Sequence, residues 1–349
     1  MTSLVKAEIF YDERIKEKYR ENIMGQNKDI RYIGIDIGGT KCAVLLADAG
    51  EKIEIIRKIR FETHTELGFE YARHRLLAAA EELIRESDAP VQAIGVSCGG
   101  PLNSRTGVVQ SQPNLPGWDE VPIVKILEDA FDIPAFLQND ANACALVEWK
   151  YGAGRGCENM VFLTMGTGMG AGIIADGRLL RGARDMAGEV GHLRLEKDGP
   201  VGYGKAGSFE GFTSGGGIAR LAAGLRREWT KEGRSIRWKE SDAELSTRAL
   251  GDYAKAGDLD AIRVFEIAGA YLGEGIAMIA DVLNPERIVI GGVYMRCEKL
   301  LEASMWRAIR REALPMCWEE MDVLPAETGE QIGDFAAAMV AVYGMEARG

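Results

Sequence analysis

The apolar positions of this chain come in short runs that end at glycine turns, with stretches of helical period between them. Residues 31–48 and 51–63 are rich in Ile, Val, Leu and Phe and predict paired strands joined at Ala49-Gly50. From Leu67 to Glu86, residues Leu67, Tyr71, Leu76, Leu77, Ala80, Leu83 and Ile84 form much of the apolar stripe of a helix. Ser87-Asp88-Ala89-Pro90 breaks it. Val91 to Val96 reads as a buried strand ending at Ser97-Cys98-Gly99-Gly100-Pro101, and Asn114 to Trp118 reads as a loop. Val121 to Phe131 predicts a helix, Ile133 to Gln138 a strand, and Ala141 to Tyr151 a helix. From Met160 the order restarts, with a strand, a glycine turn, and a hairpin turning at Ala175-Asp176-Gly177. Residues 193–217 are glycine-rich and irregular, and Thr213 to Arg227 has helical period. A long helix runs from Leu259 to Leu283 and is stopped by Asn284-Pro285. A strand over Arg287 to Ile290 ends at Gly291-Gly292, and helices over Glu298–Glu312 and Asp334–Met345 close the chain. Strands alternating with helices in two similar halves imply two α/β domains with a cleft between them.

Composition narrows the function classes. The 349 residues suffice for two cores. A net charge of −11 is a poor match to a phosphate backbone, so nucleic acid is not expected as a partner. Cys42, Cys98, Cys144, Cys157, Cys297 and Cys317 show no paired spacing, which favours free thiols in a reducing cytoplasm. No apolar run reaches the length of a membrane span, and the start of the chain lacks a signal-peptide apolar region. Residues 1–30 carry six Lys/Arg and six Asp/Glu around Ile9, Phe10, Tyr11, Ile15 and Tyr19, and read as a short amphipathic helix or a frayed lead-in.

The candidate chemistry gathers at strand ends. The first strand delivers Asp36-Ile37-Gly38-Gly39-Thr40-Lys41, and the strand at 160 delivers Gly166-Thr167-Gly168. Such turns offer bare N–H groups and a hydroxyl to phosphate, and Asp36 can hold a metal-bound water. One Gly-Gly-Thr also fits a plain hairpin; two at equivalent places in two halves suggest a clamp on a nucleotide tail. Asn139-Asp140 sits where open α/β sheets bind ligands. Asp140 suits the base that takes a proton from an attacking hydroxyl, and it equally suits an N-cap for the following helix. Glu189, His192 and Glu210 suit a polyhydroxyl ligand, although each alone is also an ordinary structural or surface residue. The turns at Gly99-Gly100 and Gly291-Gly292 can admit a sugar and an adenosine, or serve as tight turns only. Cys98 has no His–Asp partners near it in sequence and is set aside as a nucleophile.

Together these segments resemble the ROK family of sugar kinases and sugar-responsive repressors, within the actin-like ATPase superfamily and its duplicated ribonuclease H-like fold. The resemblance runs from Ile33 to Tyr343 and is carried by DIGGTK at 36–41, PNLPGW at 113–118, LQNDANAC at 137–144, LTMGTGMGAGI at 163–173, AGEVGH at 187–192, EGFTSG at 210–215 and IVIGG at 288–292. It implies ATP- and Mg²⁺-dependent phosphorylation of a hexose, usually at O6 and here glucose-type, with Asp140 as general base. Gly100, Asn114, Asn139, Glu189, His192 and Glu210 would hold the sugar. Gly38, Gly39, Thr40, Lys41, Gly166, Thr167 and Gly168 would cradle phosphates, Gly291 and Gly292 would border the adenosine, and Asp36 would orient Mg²⁺ through water. N-acetylmannosamine or N-acetylglucosamine kinases and non-catalytic sugar-sensing regulators are the alternatives; a regulator needs a DNA-binding domain longer than residues 1–30. The resemblance also implies a homodimer. It implies a small domain over 31–138 plus 331–349 and a large domain over 139–330. Many members bind a structural zinc through three cysteines and the histidine of the AGEVGH-type motif. Here those cysteine positions hold Val201, Tyr203 and Ser208, and with only His192 left no zinc site is expected.

Overall fold

The computed structural model describes residues 30–348. The lead-in expected over 1–30 lies outside them, apart from Ile30. Among the described residues the main strands form two five-stranded sheets with the same internal order.

In the first sheet, β1 (Arg31–Ile37) is central and almost wholly buried, which is why it is apolar on both faces. It pairs antiparallel with β2 (Lys41–Ala49), and β2 pairs with β3 (Ile53–Glu62). The expected strand over 31–48 is thus two strands, because the Gly38-Gly39 turn folds the chain back on itself. Edge strand β3 exposes Glu54, Arg57 and Lys58, charges that discourage pairing with another chain. Helix α1 (Gly68–Glu86) leads to β4 (Val91–Cys98), which runs parallel to β1. A small hairpin, β5 (Leu102–Asn103) and β6 (Val108–Val109), precedes α2 (Ile123–Phe131). Val121 was expected to open that helix; instead it bridges to Val109. Strand β7 (Ala135–Asn139) then adds parallel to β4.

Helix α3 (Asp140–Tyr151) carries the chain to the second sheet. There β8 (Met160–Met165) is central, with β9 (Met169–Ala175) and β10 (Arg178–Leu179) antiparallel beyond it. The irregular stretch contains a hairpin of β11 (Val201–Gly202) and β12 (Lys205–Ala206). The helix expected over Thr213–Arg227 is α5 (Gly215–Lys231), which begins two residues later; the short α4 (Phe209–Thr213) before it lies in the stretch expected to be irregular. The Ser214 hydroxyl accepts from Gly217 N–H and starts α5. Helix α6 (Thr247–Lys255) has no counterpart in the sequence reading; α7 (Leu259–Leu283) matches it. Strand β13 (Arg287–Ile290) runs parallel to β8, and β14 (Asp322–Pro325), also unforeseen, runs parallel to β13. Between them α8 (Val293–Glu312) begins directly after Gly292, five residues earlier than expected, and α9 (Pro315–Trp318) is a single turn.

The last helix, α10 (Ile332–Arg348), returns to the first sheet. It lies on Gly34 and Gly95, which face each other across β1 and β4. A Cβ at Gly34 would sit 2.7 Å from Ala338 N, and one at Gly95 would sit 2.2 Å from Ala337 O. Small residues on both sides therefore permit the close approach. Helices α3 and α10 share one core with both sheets: Leu146, Val147, Met339 and Val340 pack with Tyr32 and Ala93 from the first and Met160 and Phe162 from the second. Glu148 of α3 is fully buried and accepts from Ala153 N–H, Glu327 N–H, Thr328 N–H and the Thr328 hydroxyl. That carboxylate ties the outgoing crossing to the returning one, and the full set of donors offsets the cost of burying it.

Candidate active site

Both glycine turns lie between the central strand of a sheet and its antiparallel neighbour. In the first, Gly38 N–H donates to Lys41 O at 3.1 Å and Gly38 O accepts from the Thr63 hydroxyl at 2.6 Å. Thr40 and Lys41 stay exposed at its rim. Gly39 is covered by the PNLPGW loop, since a Cβ there would sit 2.5 Å from Asn114 O. That loop is anchored by buried Leu115 and by Trp118, whose ring meets Phe69 edge-on at 4.9 Å, while Asn114 stays exposed.

The second turn is flanked by the starts of two long helices. Gly166 N–H donates to Gly168 O at 3.1 Å, and Gly166 O accepts from Gly215 N–H at 2.8 Å at the start of α5. Gly292, with φ +67, precedes α8; a Cβ there would sit 2.2 Å from Met165 O and 3.3 Å from Gly166 N. Gly291 N–H is bound to Leu163 O at 2.9 Å. Gly166 and Thr167 are exposed between these helix starts, where free N–H groups and the helix dipoles favour an anion. Gly215 and its neighbour Gly216, near Thr167 O, belong to this cradle although the sequence reading gave them no role.

The acceptor candidates converge on the start of α3. Asn139, not Asp140, is the N-cap: its Oδ1 accepts from Ala141 N–H at 2.9 Å and Asn142 N–H at 3.4 Å. Its Nδ2 is thereby turned toward Gly100, where a Cβ would lie 3.4 Å away. Asp140 is the first residue of the helix, is accessible from the cleft, and accepts from Ala141 N–H at 2.8 Å. Surrounding protein pushes its carboxyl pKa up, and the Ala141 N–H opposes this. Glu189 is raised as well, by burial first and by the Asp140 charge next; His192 acts in the opposite direction and Glu210 adds to the rise. Glu210 Oε2 accepts from Met169 N–H at 3.1 Å, against Gly168, so this residue joins the acceptor side to the second glycine turn.

Asp36 is half-buried, and its carboxyl is pushed up to about 6. Burial is the main cause, followed by the charges of Asp334 and Asp140; Lys58 and Arg60 act against them. Lys58 is ion-paired with Asp334 at 2.5 Å, linking β3 to the start of α10. The sequence reading missed Asp334, and no local signal could have found it. Arg60 could have been found through register, since Asp36 pairs Ala43 and Ala43 pairs Arg60 across the sheet. Two carboxylates in electrostatic contact beside a phosphate cradle suit Mg²⁺, a hard cation that is held by one or two carboxylates plus phosphate oxygens. Zinc does not fit. Ser208 is buried and bonded to Gly202 O and Gly211 N–H, Val201 offers no donor, and the Tyr203 ring sits 6.0 Å edge-on from His192. Among the described residues no group of three or more His, Cys, Asp or Glu is arranged to hold a metal. Burial also pushes the Cys98 thiol up, which keeps it protonated and inert.

The profile of the ROK family matches residues 32–342. A glucokinase from Halalkalibacterium halodurans is 33% identical over 86% of this chain and 92% of its own. Among solved structures, a ROK hexokinase from Thermus thermophilus is 34% identical, covers 91% of this chain and 99% of its own, and superposes with a TM-score of 0.74. A ROK family glucokinase from Streptomyces griseus, in complex with glucose and AMPPNP, is 29% identical over 90% of this chain and 100% of its own, with a TM-score of 0.72. Repressors also match, among them an Escherichia coli N-acetylglucosamine repressor at 26% identity over 90% of this chain and 77% of its own. The two-sheet actin-like ATPase fold is common to these solved structures and to this chain.

Proposed function

The chain belongs to the ROK family as a sugar kinase, and from that premise we propose that it transfers the γ-phosphoryl group of ATP to O6 of a glucose-type hexose. The observation that carries this reading is the position of Asp140. It is exposed at the first turn of α3, directly after Asn139, whose Nδ2 lies toward Gly100, and its charge raises the carboxyls of Asp36 beside the first glycine turn and of Glu189 in the second half.

Asp140 takes the proton of the hexose hydroxyl as its oxygen bonds to phosphorus and ADP departs. The raised pKa brings this carboxylate closer to a neutral operating pH, which strengthens it as a base. Asn139 Nδ2, Gly100, Asn114, Glu189, His192 and Glu210 fix the sugar. Gly38, Gly39, Thr40, Lys41, Gly166, Thr167 and Gly168 receive phosphate oxygens, with Gly291 and Gly292 beside the adenosine. Asp36 would hold Mg²⁺ at this site, where the ion would supply charge neutralisation to the transferring phosphate. The same reading assigns residues 31–138 plus 331–349 to a small domain and 139–330 to a large one. It also places the protein in the cytoplasm as a homodimer.

The test is ADP release with Mg-ATP over glucose, mannose, fructose, allose, N-acetylglucosamine and N-acetylmannosamine, with Asp140→Asn as control. One strongly preferred sugar, with turnover lost in the control, supports the reading. An N-acetylhexosamine preference corrects the acceptor, and no sugar-dependent ADP from folded protein overturns it.

A further inference from the structure

The two halves also meet through loops that hold none of the residues assigned to the chemistry. The β5–β6 hairpin leaves the Gly99-Gly100 turn. Its tip is closed internally: Gly107 N–H donates to Asn103 O at 2.9 Å, and the N–H groups of Arg105 and Thr106 each donate to Asn103 Oδ1 at 3.1 Å. Ser104 donates away from the turn, to Asp185 in the other half. Its N–H reaches Asp185 Oδ2 at 2.9 Å and its hydroxyl reaches Oδ1 at 2.7 Å. Arg105 Nη2 adds a bond to Gly182 O at 3.3 Å, and Arg181 Nη1 donates to the Ser104 hydroxyl at 3.4 Å.

The Asp185 loop is closed as well. Ala187 N–H donates to Arg181 O at 3.2 Å, and Gly188 O accepts from Ala171 N–H of β9 at 2.8 Å. A Cβ at Gly188 would sit 2.0 Å from Ala171 O, so the backbone is pressed onto the sheet just before Glu189. Asp185 is buried, and its φ is +54. One carboxylate thus joins two internally fixed loops, one leading to the floor at Gly100 and the other to the wall at Glu189 and His192.

We infer that Asp185 is a positioning residue, which clasps Ser104 across the cleft and holds Glu189 and His192 over the acceptor floor. The inference rests on the sugar-kinase reading for its catalytic consequence, though not for the clasp itself. Charge-assisted bonds to both carboxylate oxygens favour the closed arrangement, in which the two walls of the acceptor site meet. Without them the closed fraction falls, and apparent hexose affinity falls by the same fraction. Asp36 and Asp140 are untouched, so turnover at saturating hexose is kept.

The test compares Asp185→Asn and Ser104→Ala with wild type and with Ser104→Thr. Asn tolerates the left-handed backbone at 185, and Thr retains both donors. In the first two variants the KM for the hexose rises by about tenfold, while kcat changes by less than about twofold. Ser104→Thr stays near wild type. Small-angle X-ray scattering of the sugar-free protein shows a larger radius of gyration for Asp185→Asn and Ser104→Ala, with unchanged far-UV circular dichroism. Unchanged KM and radius, or a kcat loss matching the KM rise, overturns the inference. If wild type turns over no hexose, the kinase reading fails, and scattering alone still decides whether the clasp holds the two halves together.

Discussion

Replacing Asp36 by Asn exchanges activity for stability, and the size of the exchange follows from the charge environment. The folded Asp36 carboxyl titrates at about 6, against an ordinary 3.8. The native state therefore binds the proton more tightly than the unfolded chain, and stability falls as pH rises through the interval between these values. A difference of roughly 2 units corresponds to about 3 kcal/mol at pH 8, and to about 1 kcal/mol at pH 4.5, where unfolded Asp is mostly ionised and folded Asp36 mostly protonated. Asn has the shape of protonated Asp and never carries the charge. Asp36→Asn is therefore more stable than wild type by about 3 kcal/mol at pH 8 and by about 1 kcal/mol at pH 4.5. Urea unfolding of both proteins in EDTA at the two pH values measures this. Added Mg²⁺ with ATP raises the stability of wild type more than that of the variant, and the variant loses turnover. A variant no more stable than wild type at pH 8, or a gain independent of pH, refutes the electrostatic account of Asp36.

Asp140→Asn keeps the acceptor for Ala141 N–H but cannot take a proton; kcat drops by about 10²- to 10⁴-fold, while hexose affinity by isothermal titration stays within a few-fold. A smaller kcat loss removes the base from Asp140. Gly39→Ala drives a methyl group into Asn114 O and Cβ, at 2.5 and 2.8 Å, and displaces the loop above the first turn. Its cost is about 1–3 kcal/mol in thermal unfolding, with KM raised for both hexose and ATP; an unaffected variant shows that the loop yields freely. Stripping all metal with a strong chelator and restoring Mg²⁺ alone returns full activity, and elemental analysis finds no stoichiometric zinc. A zinc requirement contradicts the hydrogen-bonded packing of Ser208 and the apolar Val201 as substitutes for metal ligands.

The strand-ending glycine turns, the repeated order of the two halves and the long helix over 259–283 were all legible along the chain. Each is a local property: a run of apolar residues long enough for a buried strand, or a 3.6-residue period ended by Asn-Pro. Other elements were misread where the local signal was ambiguous. The five residues of α4 lie in a glycine-rich stretch too short to show a helical period, and β14 is a four-residue strand with no alternation to mark it. Candidate site residues could be named from sequence, but their electrostatic surroundings could not. That Asn139 rather than Asp140 is the N-cap, with Asp140 the first residue of the helix, depends on which side chain bends back to the helix start.

What the sequence by itself determined was therefore the set of elements, their duplicated order and the polar residues delivered at strand ends, because turn chemistry and hydrophobic period are written in neighbouring residues. Only the tertiary structure decided that the charge of Asp334, from the far end of the chain, acts on Asp36. It also decided that Gly34 and Gly95 admit the alanine face of α10 and that Ser104 meets Asp185 across the cleft. A carboxylate's pKa and a clasp's strength arise from groups brought together by folding, and no local pattern records which distant segment will supply them.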